Sequence, residues 1–229
     1  MANHKPENIA SPRARQAILA GNPINDEFLE AVKLSGLKFI LNVAYNNEKQ
    51  IIGAFAGDPV EAHLEGCKFV EETMSVACEP ADIVVTSNNG YPLDRNLYQV
   101  VKGIDTASLV AKENGVIIVA ARCEDHVEHE SFQDLILSCD SIDELNEKMS
   151  LSPSETDKWQ AQVLARVLAR NEVILVSEGI ERELAERMFF THAANLDEAM
   201  DIALDVCGKK ASLCIMPEGP VLIPKINNR

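Results

Sequence analysis

The chain has 229 residues, 46% of them hydrophobic and 25% charged, a composition that fits a folded globular protein and excludes a disordered or collagen-like one. With 21 Lys and Arg against 36 Asp and Glu the net charge is 21 − 36 = −15, so the surface repels nucleic-acid phosphates and anionic lipid, and neither nucleic acid nor membrane is expected as a partner. Cys67, Cys78, Cys123, Cys139, Cys207 and Cys214 are scattered with no C-x-x-C pair, no apolar run approaches the ~20 residues that span a bilayer, and Met1-Ala2-Asn3-His4-Lys5-Pro6 has no apolar signal core; a cytoplasmic, reducing setting is expected.

In chain order, Ser11-Pro12 reads as a cap followed by a proline at the first helical position, predicting a helix over 13–20 that stops at Gly21. A second helix is predicted from Asn25-Asp26 to Gly36, with Phe28, Leu29, Val32 and Leu34 on its apolar side. An apolar run over 37–44, a turn at Asn46-Asn47-Glu48-Lys49 and a return over 50–55 predict a β-hairpin. Asp58-Pro59 opens a helix carrying Val60, Leu64, Cys67, Phe69 and Val70. From about residue 76 the texture changes. Apolar runs at 83–86, 115–120, 173–176 and 213–216 alternate with helical stretches at 97–102, 106–113, 143–149, 157–169 and 196–203. This alternation predicts an α/β fold, a mostly parallel sheet flanked by helices. A boundary is expected near residues 72–80, and the part before it is thin for an independent core. Ligands in such sheets bind beyond the carboxyl ends of the strands, which directs attention to 87–94, 122–130 and 177–179.

In the first of these loops, Gly90 and the Asn88-Asn89 pair permit unusual backbone angles, and Asp94 is placed to cap the next helix. On that helix Gln99 and Lys102 are three apart and share a face. An amide beside an ammonium near a strand end can hold a small carboxylate and its hydroxyl, but spacing alone favours a solvated helix face. In the second loop Cys123, His126 and His129 are soft and borderline donors suited to zinc or nickel, though in no established spacing, and an acidic surface loop is the simpler reading. His63, on a helix, and His192, near a strand end, read as structural or exposed. Trp159, the only tryptophan, reads as a packing residue, and His4, so near the terminus, has no role from its position alone.

Read together, these segments resemble the nickel-dependent lactate racemase family. The matching pieces are Ala2-Asn3-His4, Ile52-Gly53-Ala54-Phe55-Ala56-Gly57-Asp58-Pro59, Gly90-Tyr91-Pro92-Leu93-Asp94 continuing through Asn96-Leu97-Tyr98-Gln99-Val100-Val101-Lys102-Gly103, and Trp159-Gln160-Ala161-Gln162. The resemblance extends over nearly all of this chain, but Met1 corresponds to a position deep inside the family's proteins. It implies racemisation of a 2-hydroxy acid such as lactate. A nickel-pincer nucleotide takes the α-hydrogen as hydride, a histidine removes the hydroxyl proton, and the transient 2-keto acid is reduced on either face. By position, His4 corresponds to the nickel-ligating histidine. Gln99 and Lys102 correspond to residues that hold substrate and cofactor, Lys102 supplying charge to a carboxylate and Gln99 a hydrogen bond. Tyr98 and Trp159 correspond to aromatic positions near the pocket.

The resemblance also implies that residues 1–75 are the tail of a cofactor domain and 76–229 the carboxy-terminal α/β domain, so that the sheet is preceded by a helix and hairpin segment from a second domain. The catalytic histidine pair, the lysine that links to the cofactor and the upstream Asp/Arg contacts would precede Met1. The chain alone is therefore expected to be inactive, with exposed apolar surface on 1–75 covered by an amino-terminal half on another chain, by a second copy, or by nothing. One departure stands out: His126 and Glu128 occupy positions where the family is expected to have glycine, so the loop has either relaxed or taken a different shape. Three readings are open: part of a 2-hydroxy acid racemase, a non-catalytic remnant or structural α/β module, and a metal-binding loop at Cys123, His126 and His129.

Overall fold

A computed structural model describes residues 4–46, 48–151 and 157–227; Ala2, Asn3 and Asn47, which enter the motifs above, lie outside them. The chain opens with α1 (Pro6–Ala10) and α2 (Pro23–Ser35), then the hairpin of β1 (Ile40–Tyr45) and β2 (Ile51–Gly57), then α3 (Pro59–Met74) and β3 (Ser75–Cys78). The helix expected over 13–20 does not form. Ser11 instead ends α1, its hydroxyl accepts from the Arg13 N–H at 3.2 Å, and the Arg15 guanidinium occupies the Ser11 and Ala14 carbonyls at 3.1 and 2.8 Å. Those are carbonyls a continuing helix would need for its own N–H groups. The second helix starts two residues earlier than expected, at Pro23, because Asn22 accepts from the Ile24 N–H at 3.0 Å and Pro23 supplies the first helical φ; Gly36, at φ +68°, closes it as expected. Asp58 caps α3 through the Val60 and Glu61 N–H groups, as the Asp-Pro pair predicts.

The second part runs β4 (Ala81–Ser87), α4 (Leu97–Ser108), β5 (Ala111–Ala120), α5 (Glu130–Leu137), α6 (Ile142–Leu151), α7 (Lys158–Leu168), β6 (Glu172–Val176), α8 (Arg182–Arg187), β7 (Thr191–Ala193), α9 (Leu196–Cys207), β8 (Leu213–Met216) and β9 (Ile223–Ile226). Five parallel strands form the main sheet in the order β7-β6-β5-β4-β8. Two neighbouring predicted helices, 97–102 and 106–113, are one helix followed by a strand. Ala111 pairs with Ala81 and the Ala81 N–H donates to the Val110 carbonyl, so sheet pairing overrides the helical preference of Ala111-Lys112-Glu113.

Because strand side chains alternate, the sheet carries two cores. Val84, Ile117, Val119, Val173 and Leu175 face α4, α5, α6 and α7, while Ile83, Val116, Ile118 and Ile174 face Ala199 and Ala203 of α9. Both faces are covered, which is why these strands read as continuous apolar runs. Beside this sheet, β3 pairs in parallel with β9.

The earlier elements are not covered in the same way. Here α2 buries no residue, and Phe28, Leu34, Phe39, Leu41, Tyr45 and Ile51 are all more than half exposed, so the apolar surface expected on 1–75 is present. The edge strand β8 also exposes Leu213 and Ile215. In contrast, α1 lies against α6 and α7, with Ile9 buried and the Gln162 side-chain amide donating to the Pro6 carbonyl at 2.9 Å. No helix among the described residues is long and apolar enough to cross a membrane.

Candidate active site

The three loops that follow β4, β5 and β6 meet. Asp94 accepts from the backbone of the second loop twice, at its carbonyl from the Cys123 N–H and at its carboxylate from the Arg122 N–H. The Asp125 N–H donates to the Arg95 carbonyl at 2.8 Å, and Arg95 pairs with Asp125 at 2.5 Å. The third loop crosses close beneath: a Cβ at Gly179 would lie 1.8 Å from the Cys123 carbonyl oxygen, so no other residue fits there without moving backbone.

Asp94, expected to cap α4, is thus engaged with the second loop, and the cap is Asn96. Its side-chain oxygen accepts from the Gln99 N–H at 2.8 Å, and its side-chain nitrogen donates to the Glu128 carboxylate. Residues Cys123, His126 and Glu128 all have positive φ, at 51°, 56° and 66°. The backbone is therefore left-handed at all three, at a cost of ~1 kcal/mol at each non-glycine position. At Glu128 and His126 the side chain has a partner that offsets the cost. Glu128 holds Asn96, the His126 ring N–H donates to the Gly179 carbonyl at 2.7 Å, and the His126 carbonyl accepts from the Leu97 N–H. A metal site at Cys123, His126 and His129 is not what the loop builds. Cys123 is fully buried, its thiol pushed up to about 11 chiefly by burial, His126 is spent on Gly179, and His129 turns to Asp157. No group of three His, Cys, Asp or Glu among the described residues could hold a metal ion.

On α4 the Lys102 ammonium donates to the Gln99 side-chain oxygen at 2.7 Å, so the expected pair exists, with Lys102 exposed and Gln99 half-buried. The backbone beneath it is fixed by the buried Asn88, which donates to the Gln99 carbonyl and accepts from the Gly103 N–H at 3.0 Å. A Cβ at Gly103 would fall 2.8 Å from the Asn88 side-chain oxygen, which accounts for the glycine.

One residue earlier, Tyr98 begins a chain of ring contacts. It stacks on His129 with centroids 3.9 Å apart and meets Trp159 edge-on at 6.2 Å, and Trp159 in turn packs against His4 at 4.9 Å. Asp157, at the start of α7, takes hydrogen bonds from His129 at 3.1 Å, from Ser131 at 2.8 Å and from the Tyr98 hydroxyl. Burial opposes its charge, but these bonds and the nearby His129 leave its pKa below the usual carboxylate value. Burial, then Asp157, pushes the Tyr98 phenol up to about 12. Burial above all lowers the His4 pKa, which favours the neutral imidazole that ligates metals.

The structure therefore brings His4, Trp159 and Tyr98 into contact and, separately, Gln99 and Lys102; Tyr98 and Gln99 join the two sets in the first turn of α4. His63 lies on α3 with Cys67 as neighbour, and His192 lies on β7. A cleft of about 510 Å³ between hairpin and α3, lined by Phe55, His63, Cys67 and Val70, contains none of the five candidate residues. The His129–Asp157 pair was not visible in the sequence, since its members are 28 positions apart and no spacing rule links them.

Residues 76–223 match the family described as lactate racemase C-terminal domain. The chain is 42% identical over 226 residues to a lactate racemase of Thermoanaerobacterium thermosaccharolyticum, covering 97% of this chain and 53% of the relative. To a lactate racemase of Lactiplantibacillus plantarum it is 39% identical, covering 98% of this chain and 54% of that one. The solved apoprotein of the T. thermosaccharolyticum lactate racemase superposes with a TM-score of 0.94 at 40% identity, over 98% of this chain and 54% of that chain. A Thermotoga maritima crystal structure shares the fold alone, with a TM-score of 0.64 at 15% identity over 90% of this chain and 54% of that one. The chain thus spans about half the length of the curated relatives it matches. Through its own carboxy-terminal domain and its similarity over nearly every residue to two such proteins, this chain belongs to the lactate racemase family.

Proposed function

We propose that this chain forms the carboxy-terminal part of a 2-hydroxy acid racemase of lactate type. Residues 1–75 are then the tail of the cofactor domain and 76–229 the carboxy-terminal domain. The observation that carries the proposal is the Gln99–Lys102 pair, joined at 2.7 Å on the first two turns of α4 and open to solvent on its outer side. A 2-hydroxy acid carries a carboxylate next to a hydroxyl. Lys102, reinforced by the positive end of α4, suits the carboxylate, and the Gln99 amide suits the hydroxyl. In this reading the pair is one wall of the pocket. The opposite wall comes from the half of the relatives that this chain does not match, together with the catalytic histidine pair and the cofactor-linking lysine. The exposed apolar faces of α2, the hairpin and β8 are where that half would pack.

The nickel-pincer nucleotide fits the residues present. A partly buried imidazole against an indole, its pKa lowered chiefly by burial, is a single nitrogen donor of the kind nickel accepts. In this proposal His4 holds the metal, with Trp159 as its support. The chemistry such a group supplies is reversible acceptance of the α-hydrogen as hydride. Tyr98, Trp159 and His129 exclude water from the inner side and hold the first turn of α4 in place.

Co-expression tests the reading. With nickel, cofactor and the amino-terminal half of a lactate racemase relative, the complex should interconvert D- and L-lactate, while this chain alone should not. A folded complex with no racemisation, or turnover by the chain alone, would count against it.

A further inference from the structure

At the carboxyl ends of α4 and α7, opposite the ends that carry Tyr98 and Trp159, lies a cavity of about 180 Å³ lined by Arg15, Asp105, Ser108, Arg166, Arg170 and Asn171 among others. Three arginines and one carboxylate line it, a local balance of 3 − 1 = +2 in a chain whose net charge is −15. Arg166 pairs with Asp105 at 2.7 Å and also reaches the Ile9 carbonyl. Arg15 is held by the Ser11 and Ala14 carbonyls, while the Arg170 guanidinium forms no ion pair with a described residue. Burial first, and then the Arg166 and Arg170 charges, depress the Arg15 pKa, with Asp105 opposing. The plain explanation is that arginines neutralise helix carboxyl ends. Two such ends carry about −0.5 charge each, which leaves roughly one positive charge unbalanced.

We infer that this cavity binds a phosphate-class oxyanion, and that the bound anion clips the 11–20 connector to the last turn of α7. Three guanidiniums converging from different elements match the several acceptor faces of a tetrahedral oxyanion better than the single edge of a carboxylate. Arg15 lies on the connector, whereas Arg166 and Arg170 belong to the end of α7 and the turn after it. An anion shared among them replaces repulsion with a bridge. Since α1 precedes that connector and lies on α7, the clip bears on how firmly the His4 segment is held. The inference does not depend on the racemase reading.

The test is isothermal titration of the full chain with inorganic phosphate, sulfate, acetate and AMP, together with hydrogen exchange of the 11–20 amides. Phosphate and sulfate should bind saturably at one site, acetate more weakly, and AMP more weakly than phosphate because the cavity is small. Arg170→Gln, at an exposed position without an ion pair to a described residue, should weaken phosphate about tenfold or more, with part of the loss recovered in Arg170→Lys. Phosphate should slow exchange over 11–20. No saturable phosphate binding, or binding unchanged in a folded Arg170→Gln variant, would overturn the site. Equal affinity for acetate would overturn the tetrahedral class, tighter AMP binding the assignment to a free oxyanion, and unchanged exchange the clip.

Discussion

Replacing Asn96 with alanine removes two bonds at once from the start of α4. The side-chain oxygen caps the helix at the Gln99 N–H, 2.8 Å away, and the side-chain nitrogen holds Glu128, with Asn96 itself only 4% exposed. Loss of an N-cap costs ~1 kcal/mol. Loss of a hydrogen bond to a carboxylate that is itself exposed adds ~0.5–1 kcal/mol. The expected destabilisation of Asn96→Ala is therefore about 2 kcal/mol, or about 4–8 °C in Tm for a chain of this size. Urea unfolding followed by fluorescence of Trp159, which lies edge-on to Tyr98 in that turn, reads it directly. Asn96→Ser keeps the cap acceptor and should recover roughly half the loss. Asn96→Asp keeps it too, but sets a carboxylate against Glu128. At ~4 Å that repulsion is worth ~1 kcal/mol or more even in water, exceeding the ~0.5 kcal/mol a helix amino end returns to an anion. The stability order at neutral pH should be Asn, Ser, Asp, with Glu128→Gln rescuing the Asp variant. An alanine variant within ~0.5 kcal/mol of wild type, or Asp as stable as Ser, would refute the reasoning.

Gly103→Ala should destabilise by ~1–2 kcal/mol despite alanine's better helix propensity, since its Cβ meets the Asn88 side chain at 2.8 Å; a neutral result in urea would show that Asn88 yields freely. Tyr98, with its phenol pushed to about 12, favours the folded state while protonated. Its contribution is present below the ordinary value of ~10 and is lost as pH rises toward the folded value, so Tyr98→Phe should lack the latest tyrosinate phase seen by near-ultraviolet absorbance. The Lys112 ammonium, with the Ser212 hydroxyl and N–H, holds the Asp82 carboxyl well below the usual range. That stability is present above ~4 and is lost as pH falls below it, so Asp82→Asn should flatten the acid limb of the stability profile, and an unchanged limb would contradict the assignment.

The sequence was most legible where a local rule and the tertiary fold agree. Asp58-Pro59 starts a helix because the cap and the fixed φ are local, and the strand at 173–176 is apolar throughout because both faces are buried. It was least legible where a distant partner decides. Ser11-Pro12 offers the same local signal as Asp58-Pro59, yet the Arg15 guanidinium takes the carbonyls. Asp94 looks like a cap and is diverted by a loop 28 residues away. Ala111 carries helical propensity and is drawn into the sheet by Ala81. In the candidate site, the Gln99–Lys102 pair follows from helical spacing, whereas the ring chain from Tyr98 to Trp159 and His4 joins three separate parts of the chain, and only the family's motifs hinted at it. The loop of His126 and Glu128 is a further case: a relaxed or differently shaped loop was expected, whereas the backbone is left-handed at both residues and their side chains are held by Gly179 and Asn96.

The central claim is that Gln99 and Lys102 contact the substrate. Racemisation kinetics of Lys102→Met and Gln99→Leu, in a complex with an amino-terminal racemase half, test it most directly. Lys102→Met should lower kcat/KM about a hundredfold, as loss of a desolvated charge-assisted bond requires, and Gln99→Leu about tenfold, as loss of a neutral one requires, while fluorescence and unfolding stay near wild type. Unaltered kcat/KM in both folded variants would contradict it.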